Sequence, residues 1–200
     1  MTSRNEALQS FVDAALAAYN EFAQGPESLF SLQKIFSALE KPGTETLHPG
    51  NRLPVCSYLD SALEVDAGHQ TLGRLVDQFR KIEPSLEWRR RSTYNNTASE
   101  NFVDGHANAM ILGPGGFEQR TDVWLGATLL APNVRYPDHD HSPEEVYLVL
   151  SKGEFRQGMG DWFSPGIGGS FYNVPDIKHA MRSLDKPLFA FWALRTEKSL

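Results

Sequence analysis

Cysteine is nearly absent from this chain, which contains only Cys56 among its 200 residues. One cysteine cannot form an intramolecular disulfide, and it cannot supply the clusters of thiolates that build structural zinc modules. Histidine and the carboxylates of Asp and Glu are therefore the side chains left for metal binding. Long apolar runs are missing too, since none approaches the roughly 20 residues that span a bilayer. A membrane-spanning role is not expected.

Positive charge is in the minority, with 19 Lys and Arg against 25 Asp and Glu and a formal net charge of −6. A nucleic-acid partner is not expected, because phosphate binding draws on a positive surface. The one basic run, EWRRRS at residues 87–92, is interpreted as a solvated face or a partner in intramolecular salt bridges, and not as an anion site. Acidic residues interrupt the Ala- and Leu-rich start of the chain, so we interpret it as an amphipathic helix and expect a cytoplasmic protein.

The N-terminal part of the chain shows apolar side chains at the three- and four-residue steps that are typical of helices. Ser3 and Glu6 fit a capping box at the start of the first helix. Residues 44–66 fit either a loop or a short helix. Three helices are predicted: residues 3–22, a segment that starts at Pro26 and stops at 41–43, and a segment over 72–82 that ends before Pro84.

The pattern changes near residue 92, where short apolar segments alternate with Gly, Pro and Asn. The segments are NAMILG, VWLGATLLA, EVYLVLSKGEFRQG, SFYNVP, HAMRSL and LFAFWALR. Closely spaced strands of this kind favour a small antiparallel barrel or sandwich. We therefore predict a mainly β protein with a helical N-terminal extension over residues 1–91 and a β-barrel over 92–200. No linker separates the two parts, so the helices are expected to pack on the barrel.

One stretch, YPDHDHSPEEVYLVLSKGEF at residues 136–155, concentrates groups that can bind a metal. Side chains of equal parity share one face of an extended strand, and a turn at Ser142-Pro143 would bring two strand ends side by side. The alternative is an acidic, solvated turn that holds its histidines by chance. The residues expected to converge are His139, His141, Glu145 and Tyr147. Those expected on the opposite, apolar face are Val146, Leu148 and Leu150.

A second segment, GSFYNVPDIKHAMRS, places His179 after Gly169 and Pro175. The two segments resemble the paired motifs of the cupin superfamily, G(x)5-H-x-H-(x)3,4-E-(x)6-G and G(x)5-P-x-G-(x)2-H-(x)3-N. The first motif lacks its leading Gly and its final Gly comes one residue late. The second motif lacks its internal Gly and has Ser183 where Asn is usual. The resemblance implies a cupin barrel with one metal ion bound by His139, His141, Glu145 and His179.

The run Y…HDHSPEEVYLVL…H carries a narrower resemblance, which the helical N-terminal part shares. It is similar to the cupin-type dimethylsulfoniopropionate lyases of the DddQ type, whose His-x-His-(x)3-Glu-x-Tyr motif carries the metal and the catalytic tyrosine. The resemblance implies a carbon-sulfur lyase that splits a small zwitterionic sulfonium into dimethyl sulfide and acrylate. Three imidazoles and a carboxylate suit Zn, Fe or Mn better than Ca or Mg, and the sequence does not choose among the transition metals.

The elimination needs a Lewis acid for the substrate carboxylate and one strong base, because the leaving group is neutral and needs no proton. Tyr147, two residues after a ligand, is the expected base. Tyr136 is expected as a second active-site tyrosine, and His139 can act as a ligand or on the substrate. Aromatic faces should hold the sulfonium by cation–π contacts. The available pool is Tyr136, Trp162, Phe171, Tyr172, Trp192, Trp88 and Tyr94.

Two other functions stay open from the sequence. The same ligands around Fe(II) would suit a cupin dioxygenase, and oxygen consumption would separate that enzyme from a lyase. A cupin that binds a small molecule without turnover would use the metal to stabilise the barrel. The N-terminal helices could cover the barrel or form a homodimer.

Overall fold

Helices occupy mainly the N-terminal half of the computed structural model, which describes residues 3–46, 49–65 and 68–196. The helices are α1 (Glu6–Phe22), α2 (Pro26–Leu39), α3 (Leu59–Ala62), α4 (Gln70–Ile82) and α5 (Phe102–Gly105), with 3-10 turns at Pro54–Tyr58 and Glu83–Ser85. The three predicted helices are confirmed as α1, α2 and α4. No helix in the described part of the chain combines the length and the apolarity that crossing a membrane requires.

The predicted capping box of α1 is wrong. Asn5 is the N-cap, and its side-chain oxygen accepts hydrogen bonds from the backbone N–H groups of Ala7 at 2.9 Å and Leu8 at 3.3 Å. Glu6 is therefore the first helical residue, too early to reach back to a cap. Between α2 and α4, the ambiguous residues 44–66 form a short strand, a 3-10 turn and α3, while residues 47, 48 and 66 lie outside the described ranges.

Every predicted strand segment contains a strand. The strands are β1 (Thr44–Glu45), β2 (Trp88–Arg89), β3 (His106–Leu112), β4 (Glu118–Gln119), β5 (Val123–Leu130), β6 (Arg135–His139), β7 (Glu144–Val149), β8 (Gly153–Gln157), β9 (Ser170–Asn173), β10 (His179–Ser183) and β11 (Leu188–Arg195). The larger sheet has the order β1-β4-β3-β5-β11-β7-β9, with β2 paired to β3, and the smaller sheet has the order β6-β10-β8. All pairings are antiparallel except β3 with β4. This arrangement confirms the cupin-like architecture.

The larger sheet packs on both of its faces. On one face Val146, Leu148 and Leu150 join the helices in one buried cluster. On the other face Tyr147 and Val149 join residues of the smaller sheet in a second cluster. The predicted alternation along β7 is thus confirmed, and it separates an apolar face under the helices from a face that looks into the space between the sheets.

The helices pack directly on the larger sheet, as predicted. The ring of Phe191 in β11 lies 5.7 Å from that of Phe11 in α1 and 5.1 Å from that of Phe79 in α4, measured between centroids. Strands β1 and β2, which precede residue 92, pair with β4 and β3 of the same sheet. The proposed boundary between residues 91 and 92 stays a prediction.

Candidate active site

The predicted metal-binding residues come from both sheets. His139 ends β6 and His179 begins β10, and the two are direct partners across these strands of the smaller sheet. Glu145 lies in β7 of the larger sheet. A turn was expected to bring the end of β6 beside the start of β7. Residues 140–143 make this connection by carrying the chain from one sheet to the other. His141 lies in that connection, so the site forms between the sheets.

Three of the predicted ligands meet. Nε2 of His141 lies 3.4 Å from Oε2 of Glu145, and Nε2 of His179 lies 3.3 Å from the same oxygen. The candidate ligand atoms of these three residues all lie within 4.8 Å of one another. His139 lies beside the group without being part of it among the described residues, with its ring centroid 4.1 Å from that of His179 and 6.3 Å from that of His141.

Backbone carbonyl groups fix the tautomers of His139, His141 and His179. A carbonyl oxygen only accepts hydrogen bonds, so a ring nitrogen that contacts it carries the proton and the other nitrogen of a neutral ring keeps its lone pair. Such bonds also fix the orientation of metal-binding histidines. Each Nδ1 atom contacts a backbone oxygen: Pro137 at 2.9 Å for His139, Pro143 at 2.8 Å for His141 and Ile177 at 2.9 Å for His179.

This donor set fits a transition-metal ion. Nε2 of His179 is buried and makes no hydrogen bond within the described residues, although Oε2 of Glu145 lies 3.3 Å away. Buried polar atoms are rarely left in this way. The Nε2 atoms of His179 and His141 both face this carboxylate oxygen, an arrangement that a bound metal ion or a proton on an imidazole would stabilise. Nitrogen and oxygen ligands of this kind suit Zn, Fe or Mn.

Glu145 is held as a charged group in a buried place. Its side chain is 3% exposed, and Nδ2 of Asn173 donates a hydrogen bond to its Oε2 at 2.9 Å. Burial would raise the pKa of Glu145, but the neighbouring His141 and His179 outweigh that effect and hold the pKa well below its usual range. Sequence reasoning missed Asn173, because only the pairing of β9 with β7 brings it opposite Glu145.

His139 is suited to remain neutral. Burial, with the neighbouring His179, lowers its pKa to about 3. The ring lies 4.9 Å from that of Tyr136, centroid to centroid. A neutral imidazole at this place can bind a metal through Nε2.

Two buried tyrosines face the same site. Tyr147 is 2% exposed, and its ring stacks on Phe171 with centroids 5.1 Å apart. Burial, followed by the charge of Glu145, raises the pKa of Tyr147 well above its usual range. Tyr136 is 4% exposed, and its hydroxyl oxygen accepts a hydrogen bond from Nδ2 of Asn108 at 3.2 Å. Burial raises the pKa of Tyr136 as well.

A cavity of about 250 Å³ opens onto these groups. Its wall includes predicted site residues from both sheets: Tyr136, His139, His141, Glu145 and Tyr147. Another part of the wall is apolar and aromatic: Met110, Trp124, Met181, Trp192 and Leu194. The remaining lining residues are polar or charged: Arg89, Arg90, Arg91, Asn108 and Thr128. The cavity is the size of a small organic molecule.

Few of the aromatic candidates reach this cavity. Tyr136 and Trp192 line it, and so does Trp124, which sequence reasoning missed. The other five are not among the lining residues. Phe171 stacks on Tyr147, Trp88 is fully buried in the core, and Tyr172 donates a hydrogen bond to Glu144. Trp162 lies against three arginines, and Tyr94 is 58% exposed.

The basic run at residues 87–92 divides in two. Arg89 pairs with Glu87, and Arg90 pairs with Asp104 at 2.8 Å, as predicted for salt-bridge partners. All three arginines line the cavity with Tyr136 and Asn108, but among the described residues Arg91 alone of the three makes no salt bridge. No spacing rule separates the third arginine from the first two.

Comparisons with known proteins agree on one family. A family model described as dimethylsulfoniopropionate lyase matches residues 28–190. The curated dimethylsulfoniopropionate lyase DddQ of Ruegeria pomeroyi is 24% identical over 141 residues, which cover 70% of this chain and 68% of that protein.

Two solved structures share the fold. One, from work on the DMSP lyases RdDddP and RnDddQII, matches with a TM-score of 0.70 and 23% identity, over 96% of this chain and 94% of that chain. The crystal structure of DMSP lyase DddQ from Ruegeria pomeroyi matches with a TM-score of 0.68 and 21% identity, over 98% of this chain and 94% of that chain. The helical part is therefore included in the shared fold.

Proposed function

Because the chain belongs to the dimethylsulfoniopropionate lyase family, we propose that it cleaves dimethylsulfoniopropionate to dimethyl sulfide and acrylate by a metal-dependent β-elimination. One observation carries the proposal. The ligand atoms of His141, Glu145 and His179 lie within 4.8 Å of one another, and His141 and Glu145 line a cavity that two buried tyrosines also line. Substrate, metal and base can therefore meet in one place.

His141, Glu145 and His179 would hold one divalent transition-metal ion such as Zn, Fe or Mn, with His139 as a further ligand or a group beside it. When bound, the ion supplies Lewis-acid stabilisation for the charge that develops next to the substrate carboxylate. Glu145 contributes one negative charge to the site and the neutral imidazoles contribute none. The hydrogen bond from Asn173 keeps the carboxylate in place.

Tyr147 is our candidate for the general base. It would act as a phenolate, a form that a divalent cation held beside it would favour against the effect of burial. The phenolate would take the proton from the carbon next to the substrate carboxylate, and the electrons of that C–H bond become the double bond of acrylate. The bond between the β carbon and sulfur breaks, and its electron pair leaves with neutral dimethyl sulfide. The proton then passes from Tyr147 to solvent. Tyr136, across the same cavity, is the second candidate and would otherwise position the substrate.

Trp192 and Trp124 are our candidates for holding the sulfonium. Both line the cavity, and an aromatic face attracts a cation while it also contacts the methyl groups. Thr128 fixes the Trp192 ring, since its Oγ1 accepts a hydrogen bond from Trp192 Nε1 at 3.1 Å. Cytoplasmic location and a homodimer stay predictions.

The test is to incubate purified protein with dimethylsulfoniopropionate and to measure dimethyl sulfide in the headspace and acrylate in solution. Both products should form in equal amounts, disappear after a chelator, and return when Zn, Fe or Mn is added. Oxygen uptake should stay at background, which separates the lyase from a dioxygenase. Product formation that is unchanged after complete metal removal would contradict the metal-dependent mechanism.

A further inference from the structure

We propose that Arg91 forms a carboxylate-binding site on the cavity wall, which selects substrates that carry a negatively charged end. The choice of a sulfonium acid as the natural ligand rests on the proposed function, whereas the binding of a carboxylate does not. Arg91 is half-buried and lines the cavity. It therefore offers a positive charge on the same wall as Tyr136, in the space where we place the substrate.

The charge of Arg91 has no carboxylate partner within the described ranges of the chain. Its neighbours differ, because Arg89 pairs with Glu87 and Arg90 pairs with Asp104. A guanidinium that is partly buried without a counter-ion is costly. A bound anion would supply the missing charge.

The fold holds Arg91 in place before any ligand arrives. Its backbone N–H donates a hydrogen bond to Nε2 of His106 at 2.8 Å, and its side-chain Nε donates to the backbone oxygen of Thr93 at 2.8 Å. His106 is fully buried, and its own Nδ1 donates to the backbone oxygen of Phe102. With Nε engaged, the two terminal nitrogens of the guanidinium remain for a ligand. Such preorganisation reduces the entropy lost on binding.

A second donor points to the same place. Nδ2 of Asn108 donates a hydrogen bond to the Tyr136 hydroxyl at 3.2 Å, and Arg91 lines the same cavity. The amide of Asn108 is fixed in direction, because its Oδ1 accepts from Oγ1 of Thr128 at 2.6 Å and leaves Nδ2 as the inward group. A guanidinium and an oriented amide donor therefore line the same cavity, a combination of donors that can recognise an oxyanion.

The surroundings favour a small carboxylate. The cavity of about 250 Å³ is too small for a large anion to share with the rest of the wall. The guanidinium repels a sulfonium, which directs that end of the substrate toward Trp192. A carboxylate has two oxygens with about four lone-pair sites, so contact with Arg91 leaves capacity for a metal. The ligand class is a short acid with a cationic or apolar tail.

Ligand-observed NMR titration tests the site with two probes of matched shape, propionate and propionamide. The proteins are wild type, Arg91→Gln, Arg91→Lys and the control Arg90→Gln, which removes an equal charge from an arginine that lines the same cavity but is already paired with Asp104. Arg91→Gln should weaken propionate binding roughly 10- to 100-fold, the range expected for a charge-assisted hydrogen bond, and should leave propionamide unchanged. Arg91→Lys should lose less, and Arg90→Gln should stay within about threefold.

Propionate binding that is as tight in both Arg91 variants as in wild type would overturn the proposal, even if the enzyme cleaves dimethylsulfoniopropionate. Arg91-dependent binding of propionate by a protein that releases no dimethyl sulfide would support the carboxylate site and reject the lyase function. Arg91→Lys keeps the test decisive if the Gln variant fails to fold, because the charge and the backbone contact to His106 are retained.

Discussion

Glu144 and Glu145 are adjacent on β7 and both are buried, at 9% and 3% exposed, yet their surroundings are opposite. Glu144 faces donors on every side: Ser31 Oγ at 3.0 Å, Arg195 Nε at 2.6 Å and Tyr172 hydroxyl at 2.6 Å. Glu145 accepts a hydrogen bond from Asn173, and its other polar contacts here are Nε2 of His141 at 3.4 Å and Nε2 of His179 at 3.3 Å. The charge of Glu144 is compensated by an arginine, whereas Glu145 faces two imidazoles that can bind a metal.

This difference separates a structural acid from a candidate metal ligand. Ser31 lies in α2, so Glu144 ties a helix to the larger sheet. Glu145 lies on the other face of the same strand, toward the smaller sheet. Burial alone does not distinguish the two carboxylates. The number of hydrogen bonds that each accepts from the protein does.

The largest effect is expected from the ligands themselves. Glu145→Gln, His141→Ala and His179→Ala should each remove the metal and the activity together, with a loss in metal affinity beyond the roughly 100-fold seen for groups outside the ligand set. Glu144→Gln should keep its metal but lose about 1–3 kcal/mol of unfolding free energy, because it breaks hydrogen bonds to a charged group. Elemental analysis and denaturant unfolding give the two readouts. Full metal content in both His141→Ala and His179→Ala would show that the ion binds elsewhere.

Tyr147→Phe tests whether catalysis can be separated from metal binding on the same strand, β7. The ring and its stacking on Phe171 remain, but the oxygen that would take the proton is lost. The turnover number kcat should fall about 10²- to 10⁴-fold, while metal content and KM change little. Tyr136→Phe is the matched control and should cost less if that residue only positions the substrate. Turnover near wild type in Tyr147→Phe would move the base to Tyr136 or His139.

A smaller effect is expected at His139, which lies beside the three-residue group. His139→Ala should lower metal affinity about 10- to 100-fold, as for a group that supports a metal site, and leave partial occupancy. Competition with a chromogenic chelator measures the affinity. A loss as complete as that of His179→Ala would make His139 a full ligand.

The smallest effect concerns Glu118, a second acid whose charge is compensated by arginine. It is fully buried and bonded to Arg4 and Arg120. Burial would raise the pKa of Glu118, but the arginines and the Gly43 backbone lower it. A lowered folded-state pKa stabilises the protein above the unfolded value of about 4.3. That stability is lost as pH falls through the folded pKa. Unfolding of Glu118→Gln should therefore depend less on pH between 7 and 3 than wild type, and parallel profiles would contradict this.

Sequence spacing could identify most of the site. Three candidate ligands, His139, His141 and Glu145, lie within seven residues, and Tyr147 follows two residues later. Residues this close in sequence stay close in space when a short connection joins two strands. Asn173 and Arg91 could not be found in this way. Asn173 reaches Glu145 only through the pairing of β9 with β7, and Arg91 is placed by His106, which is 15 residues away. Contacts of this kind depend on tertiary structure.

The helices show the same limit on a smaller scale. The three- and four-residue spacing of apolar side chains predicted α1, α2 and α4, because the residues on the buried face of a helix recur at regular steps in its sequence. The cap of α1 was assigned to Ser3 although Asn5 holds it. Both are good capping residues, so local preference does not decide between them. Arg4, between the two, is held by Glu118 of the sheet, and its place depends on a residue far along the chain.

The most direct measurement is an anomalous difference map from crystals of the metal-loaded protein, recorded on both sides of the absorption edge of the metal. We predict one peak, about 2.0–2.2 Å from Nε2 of His141, Nε2 of His179 and an oxygen of Glu145, for a metal such as zinc. A peak at Glu144, or no peak at Glu145 in protein that elemental analysis shows to contain the metal, would contradict the assignment of Glu145 as the metal-binding carboxylate.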